Sequence, residues 1–223
     1  MQLLHLDRSD DAVVTLTLNW PEKKNALSIA MRDEVSDALD ALATDESVKV
    51  VVVTGADGVF SAGFDLREFG STDPAVQQAL WPSSDRFHHT VLRFPLPTIA
   101  AVDGPALAGG FDLATLCDIR IASETAVFAH PEQAFAEVLY RPLAELVGGA
   151  AARYLTLSGR RIDAVEALRI GLVSQVVPTD QLSSTVAELA RDIARAPREA
   201  LIRTKAKAVH RTAIAPGTPT VAM

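Results

Sequence analysis

The sequence predicts an α/β fold, and three features carry the prediction. Segments of strand-like pattern alternate with segments of helical period along the chain. The run Lys49 to Thr54 is almost wholly β-branched, as a parallel strand buried on both faces requires. At two places, Gly58 to Leu66 and Pro105 to Ala114, small residues join an apolar strand to a segment that opens with an acid. The 223 residues are enough for one sizeable core.

In chain order, Ala12 to Leu18 alternates as a half-buried strand does and is stopped by Pro21. Ser28 is a predicted N-cap, after which Ile29, Met31, Val35, Leu39 and Leu42 recur near helical spacing. The strand Lys49 to Thr54 follows. Ala75 to Arg93 is helical in pattern, with a break or kink expected at Trp81-Pro82 because proline lacks the donor. Thr98 to Val102, Ile119 to Ala122 and Ala126 to Phe128 read as short strands. Asp163 to Arg169 reads as a helix, Leu172 to Val177 as a strand ended by Pro178, and Gln181 to Arg195 as a helix ended by Pro197. Arg198 to Arg211 forms a basic helix, and the Pro- and Gly-containing tail Ala215 to Met223 is not expected to be helical. No internal repeat or low-complexity linker divides the chain.

A net charge of −7 speaks against nucleic acid or an anionic membrane as a bulk partner, since both call for a positive field. The single cysteine, Cys117, permits no internal disulfide, and no signal-like or membrane-length apolar run occurs, so the expected location is the cytoplasm. The Gly-rich dinucleotide fingerprint, the phosphate loop, the His-Glu-x-x-His zinc motif, paired cysteines and the serine elbow are all missing from the sequence, and no metal site is expected.

The two small-residue turns suggest chemistry. A helix that opens at Gly109 presents bare N–H groups with the positive end of its dipole. The turn around Gly63 is built alike, and two such donors converging on one carbonyl oxygen make an oxyanion hole. Asp112 lies three residues beyond Gly109, close to the face of that donor, and Glu132 follows a turn stiffened by Pro131. Taken locally, Asp112 can equally be a dipole-matched residue of a first helical turn, and Glu132 a surface turn residue.

Phe60-Ser61-Ala62-Gly63-Phe64-Asp65-Leu66, then Ile99 to Gly110, then Cys117 to Ala122, resemble the crotonase (enoyl-CoA hydratase/isomerase) superfamily. Asn25-Ala26-Leu27, Leu157-Ser158-Gly159-Arg160 and Gly171-Leu172-Val173 match in the same order, so that the resemblance covers roughly residues 10 to 210. It implies a spiral of repeated β-β-α units with a shortened C-terminal helical region: residues 1–195 as the core domain, and 196–223 as a short helix and tail. It implies an enoyl-CoA hydratase that adds water to a trans-2-enoyl-CoA through a stabilised enolate. A double-bond isomerase of enoyl- or dienoyl-CoA, or another enolate-stabilising acyl-CoA enzyme, and a non-catalytic acyl-CoA-binding subunit are the alternatives. In that reading the N–H groups of Phe64 and Gly109 form the oxyanion hole, and Glu132 and Asp112 are the paired acids. Ala62, Phe64, Asp65, Leu66, Arg67 and Gly109 lie along the CoA thioester. No separate cofactor is needed, because CoA arrives with the substrate, and a homo-trimer or dimer of trimers is the implied assembly.

Several departures from the family pattern stand out. Hydratases usually carry Glu where this chain has Asp112, a side chain shorter by about 1.5 Å. Asp there matches the dienoyl-CoA isomerases, but their third acid is replaced by Tyr140. The segment Gln133 to Pro142 has no glycine where a glycine-rich loop is common, which makes Phe135, Leu139 and Tyr140 candidate acyl-pocket walls as well as candidate core residues. Phe64 stands where many members have a small residue, and its ring is expected to pack. His88-His89 is expected on a solvated surface, because adjacent helical residues point about 100° apart. His130 is expected to give an orienting hydrogen bond. The basic C-terminal helix is read either as a solvated face or as a local contact for CoA phosphates or a neighbouring subunit.

Overall fold

A computed structural model describes residues 2–212. The larger of two sheets has six strands in the order β1 (Leu4–Arg8), β2 (Val13–Leu18), β3 (Val50–Gly55), β4 (Thr98–Val102), β6 (Ile119–Ser123) and β9 (Gln175–Val177). Its first pair is antiparallel and the others are parallel, with Val13 to Leu18 in register with Val50 to Gly55. The smaller sheet holds β5 (Pro105–Leu107), β7 (Val127–Ala129) and β8 (Ile162–Asp163). Thus β4 with β5, and β6 with β7, each carry the chain from one sheet to the other, giving the spiral that the resemblance implied.

Helix α1 (Ile29–Thr44) starts where the sequence places it, with Ser28 Oγ accepting from the Met31 N–H at 3.1 Å. Met31, Val35, Leu39 and Leu42 face the main core together with Leu16, Leu18 and Val53. A second, smaller core lies on the other sheet face, where α7 (Leu182–Ala194) covers Val50, Val52, Ile99 and Ile121. This explains the unbroken apolar run in β3, whose first four residues are buried.

Helix α3 (Pro74–Arg93) corrects two expectations. It runs without a break through Pro82, which is exposed. The carbonyl deprived of its donor belongs to Gln78, also exposed, so water can serve it. The Arg32 guanidinium holds the same stretch, donating to Leu80 O at 3.1 Å and Ser83 Oγ at 3.2 Å. The histidine pair is not solvated: His88 is buried and His89 half-buried, because α3 is covered on more than one side by α1, the short α2 (Leu66–Phe69) and α4 (Gly109–Leu116). Burial drives the His88 imidazole down to about 4, so it is neutral at physiological pH.

Helix α5 (Arg141–Ser158) has no counterpart in the sequence reading. Gly148, at φ 77°, breaks its helical dihedrals and with them the apolar period. The strand predicted at Leu172 to Val177 is shortened to Gln175–Val177, since Leu172 and Val173 turn inward after α6 (Ala164–Arg169). Buried Arg120 ties this turn to α4, donating to Leu172 O and Cys117 O at 2.6 Å each. The proposed tail Ala215 to Met223 lies outside the described residues.

The basic helix α8 (Arg198–Thr212) is bonded into the molecule. Arg198 donates to Ala43 O at 2.8 Å and Val48 O at 3.1 Å. Lys205, 7% exposed, donates to Leu96 O at 2.8 Å and pairs with Asp118 at 2.7 Å. Asp118 in turn accepts from the Thr98 N–H at 2.7 Å, where β4 begins. Lys205→Met should therefore lower the unfolding free energy by about 1–2 kcal/mol, because it leaves Leu96 O without its charged donor, while the exposed Asp118 can turn to water. Urea denaturation checks this; a loss below about 0.5 kcal/mol would reduce the pair to an ordinary surface contact.

Candidate active site

The two small-residue turns lie against each other. The Ser61 N–H donates to Pro105 O at 3.1 Å and the Leu107 N–H to Ser61 O at 2.9 Å, joining residue 61 to β5. A Cβ on Gly63 would stand 2.7 Å from the Ala108 Cβ and 3.1 Å from the Gly109 nitrogen. One on Gly110 would meet Ser61 O at 2.5 Å. Ala108 between them is held at φ 50°, ψ −129°, a conformation that non-glycine residues rarely adopt and that here opens α4. Among the described residues neither the Phe64 nor the Gly109 N–H has a protein acceptor. Two unclaimed donors, one at the start of α4 and one on the turn packed against it, suit an anionic oxygen.

The Phe64 ring packs as expected. It lies against Gly109, where an added Cβ would meet it at 2.7 Å, with the Arg32 guanidinium 4.3 Å from its centroid on one side and the His88 ring at 6.1 Å. Arg32 is fully buried, and burial lowers its guanidinium to about 10, still a cation at neutral pH. It also donates to Leu27 O at 2.6 Å, beside the Leu27 N–H bond to Gly63 O at 2.8 Å. Helix α1 thereby fixes the first turn. The sequence reading passed over Arg32; an arginine directly after the apolar Met31 in α1 was the available signal.

Both proposed acids reach this point. Asp112, in the first turn of α4, is buried, and its Oδ1 is 3.0 Å from His130 Nε2. His130 thus gives the orienting contact expected of it. Its ring is buried and stacks on Phe111 at 4.5 Å between centroids. Burial acts to lower the imidazole, but the hydrogen bond to Asp112 and the charges of Asp112 and Glu132 outweigh it, and the net direction is upward. Glu132 sits in a 3-10 turn, Pro131–Ala134, directly after β7, and its buried Oε2 has no hydrogen-bond partner. Burial first, and the Asp112 charge second, push its carboxyl up to about 7. Asp112, His130 and Glu132 offer ligand-type atoms within 4.8 Å of one another, close enough for the charge of one to act on the next.

A cleft of about 230 Å³ opens over these groups, lined by Ala62, Phe64, Leu66, Gly109, Asp112 and Glu132. Rings of Phe69, Trp81 and Phe135 also line it, Phe69 meeting Trp81 edge-on at 5.6 Å and Phe135 at 6.1 Å. Of the three candidate acyl walls, Phe135 lines the cleft. Leu139 is buried in the core, and Tyr140 packs against it with its hydroxyl 3.5 Å from Gly149 O. Asp65 and Arg67 are outside the cleft lining: Asp65 caps α2 by accepting from the Arg67 N–H at 2.8 Å, and the Arg67 side chain is exposed. Phe69 and Trp81 were missed because each reads as ordinary core from its own helix. A larger hollow, about 400 Å³, lies by α7 on the opposite sheet face and none of the candidate residues lines it.

Over residues 8–221 the chain matches the family described as enoyl-CoA hydratase/isomerase. It is 36% identical over 205 residues to a probable enoyl-CoA hydratase of Mycobacterium bovis, covering 87% of this chain and 79% of that one. To a probable mitochondrial enoyl-CoA hydratase of Arabidopsis thaliana it is 33% identical, covering 86% of this chain and 66% of the relative. The crystal structure of an enoyl-CoA hydratase from Bacillus anthracis superposes with a TM-score of 0.86 at 31% identity, covering 96% of this chain and 91% of that one.

If the contact between the turns sets the donors, Gly110→Ala should lower stability by about 1–3 kcal/mol and cut turnover as well. Gly70→Ala, whose Cβ would meet nothing closer than 3.4 Å, should change neither. Melting curves and rates of both variants decide; an unchanged Gly110→Ala protein would remove the contact from the account.

Proposed function

The chain belongs to the enoyl-CoA hydratase/isomerase family, and on that premise we propose that it is an enoyl-CoA hydratase acting on trans-2-enoyl-CoA thioesters. The observation that carries the reading is the convergence, on one cleft, of two unclaimed backbone N–H groups and two carboxyl groups in unlike surroundings. Hydration of a conjugated thioester needs an anion-stabilising pair at the carbonyl oxygen, a base for water and an acid for the α-carbon.

The Phe64 and Gly109 N–H groups bind the thioester oxygen. The Asp112 carboxylate takes a proton from water as its oxygen bonds to the β-carbon. The π electrons move toward the thioester oxygen, and protonated Glu132 then delivers its proton to the α-carbon. The product is the 3-hydroxyacyl-CoA, with Asp112 protonated and Glu132 ionised; solvent exchange restores the pair. Burial supports the division of labour, since it keeps a proton on Glu132 in a large share of molecules at neutral pH. Ala62, Phe64, Asp65, Leu66 and Arg67 are assigned to the CoA side, the charge of Arg67 being free of the cleft wall. The acyl group lies against Phe69, Trp81 and Phe135. No step calls on a separate cofactor. The assembly is proposed to be a trimer or a dimer of trimers, and the location cytoplasmic; no helix among the described residues is long and apolar enough to cross a membrane.

One observation favours a second reading. Asp112 Oδ1 is engaged by His130, which leaves Glu132 the freer of the two acids to move a proton between carbons, as a double-bond isomerase does. Asp112→Asn separates the two: a hydratase loses activity, whereas an isomerase relying on Glu132 keeps most of it. Conjugation of a 3-enoyl-CoA without gain of water would favour the isomerase.

Glu132→Gln should abolish hydration of crotonyl-CoA, followed by absorbance and mass, while saturated thioester still binds; rates like those of the wild type would refute the assignment. Since Glu132 acts as an acid with a value of about 7, kcat/KM for hydration should fall as pH rises through that value. The same shift has a sign for stability. The folded carboxyl holds its proton above the ordinary value of 4.5, so its contribution is full below 4.5 and is lost as pH rises toward about 7. Glu132→Gln should therefore melt higher than the wild type at pH 8, the gap closing as pH falls through that window.

A further inference from the structure

We propose that His130 is a positioning residue of this reaction, which holds the short Asp112 side chain, through its Nε2 contact with Oδ1, where the water-activating carboxylate has to stand. The inference rests on the hydratase reading and extends it to a residue outside the cleft lining.

An aspartate in place of a glutamate withdraws its oxygens by about 1.5 Å, and misplacement near 1 Å can cost about a hundredfold in rate. A carboxylate that sits back needs a fixed orientation, and His130 supplies it from the position just after β7. The Ala108 N–H donates to Ala129 O at 2.9 Å, so the residue before His130 is tied to the turn that opens the helix of Asp112. The imidazole is then immobilised on the Phe111 ring, 4.5 Å away at an interplanar angle of 26°, one residue before Asp112 in the same helix. Two links therefore set the 3.0 Å contact, one through backbone and one through stacked rings.

Packing alone does not account for the ring. Burying an imidazole against a carboxylate carries a desolvation cost that an apolar side chain of like volume avoids. The geometry also specifies a tautomer. With Nε2–H donating to Asp112, a neutral ring leaves Nδ1 as a lone pair, and this atom is buried without a partner. The groups that bear on this pair electrostatically are Glu132, from the turn after β7, and His88, from α3, which is itself near Arg32 of α1. His88 is neutral through burial, so Glu132 is the neighbour whose titration His130 can move; its positive form holds the Glu132 carboxyl down.

The test compares His130→Gln, which keeps an N–H donor, with His130→Leu, which keeps volume alone. In His130→Leu, kcat for crotonyl-CoA hydration should fall on the order of a hundredfold with KM within about twofold, and His130→Gln should recover most of the loss. Equal losses in the two variants would reduce His130 to packing and overturn the proposal. Melting curves and binding of a saturated thioester show whether each variant is folded, with His130→Gln as the milder replacement. Ring-nitrogen NMR of histidine-labelled protein reads the contact without turnover: Asp112→Asn should shift the His130 Nε2 signal, and an unmoved signal would also overturn it. A wild-type protein that hydrates no enoyl thioester yet shows that shift would refute the hydratase reading while leaving the His130 contact in place.

Discussion

Two stretches of backbone lie closer together here than side chains would allow, and the rest of the site depends on it. Gly63 and Gly110 face the opposing main chain or its Cβ atoms at distances that an added methyl group could not share. Absence of Cβ at these points brings residues 61–64 against residues 105–110, where the Phe64 and Gly109 N–H groups have no protein acceptor among the described residues. The donors are held by neighbours on both sides: Arg32 from α1 and Leu27 just before it for the first turn, Ala129 from β7 for the second. Such a frame reorganises little when charge develops on a bound oxygen, which is where backbone donors gain over water.

The same frame sorts the ionisable groups. Asp112 and His130 are joined by a buried hydrogen bond, while Glu132, a few ångströms away, has a carboxyl oxygen with no partner at all. Burial and the neighbouring Asp112 charge both oppose ionisation of Glu132 and push its carboxyl up to about 7. Position in the chain creates the difference. Asp112 sits in a helical first turn beside a histidine anchored by Phe111, and Glu132 on a proline-stiffened turn facing the aromatic cleft.

Much of this was legible in the sequence, for identifiable reasons. Ser28, the apolar period of α1 and the β-branched run of β3 are local signals, and each produced its element where expected. The small-residue turns announced a close approach, and the motif order announced which turns would meet. What escaped were features set by remote partners. Pro82 reads as a break, but the breaking force depends on whether water or a side chain serves the freed carbonyl, and α1 lies across that stretch. His88 reads as surface until α4 and α1 are placed on either side of its helix. Helix α5 was hidden by Gly148 and Gly149, which interrupt the period the eye follows. Trp81 and Phe69 became cleft walls only through tertiary placement, as did the link from Lys205 to Asp118.

The site also departs from what stability alone would choose. Ala108 holds a dihedral pair that costs of order 1–3 kcal/mol, although a glycine there would be free of strain. Glu132 buries a carboxyl oxygen without a partner, and a histidine–aspartate pair occupies a position where apolar residues would pack without desolvation. These departures are concentrated within one turn of α4 and the two residues after His130, while the flanking strands β3 and β4 are filled with ordinary apolar side chains. Costs gathered at one point, and offset by conventional packing around it, are the pattern expected when an arrangement is kept for its chemistry. Ala108 shows how the two are joined: its strained backbone turns the chain from β5 into α4, so the strain and the direction of the Gly109 N–H have one origin.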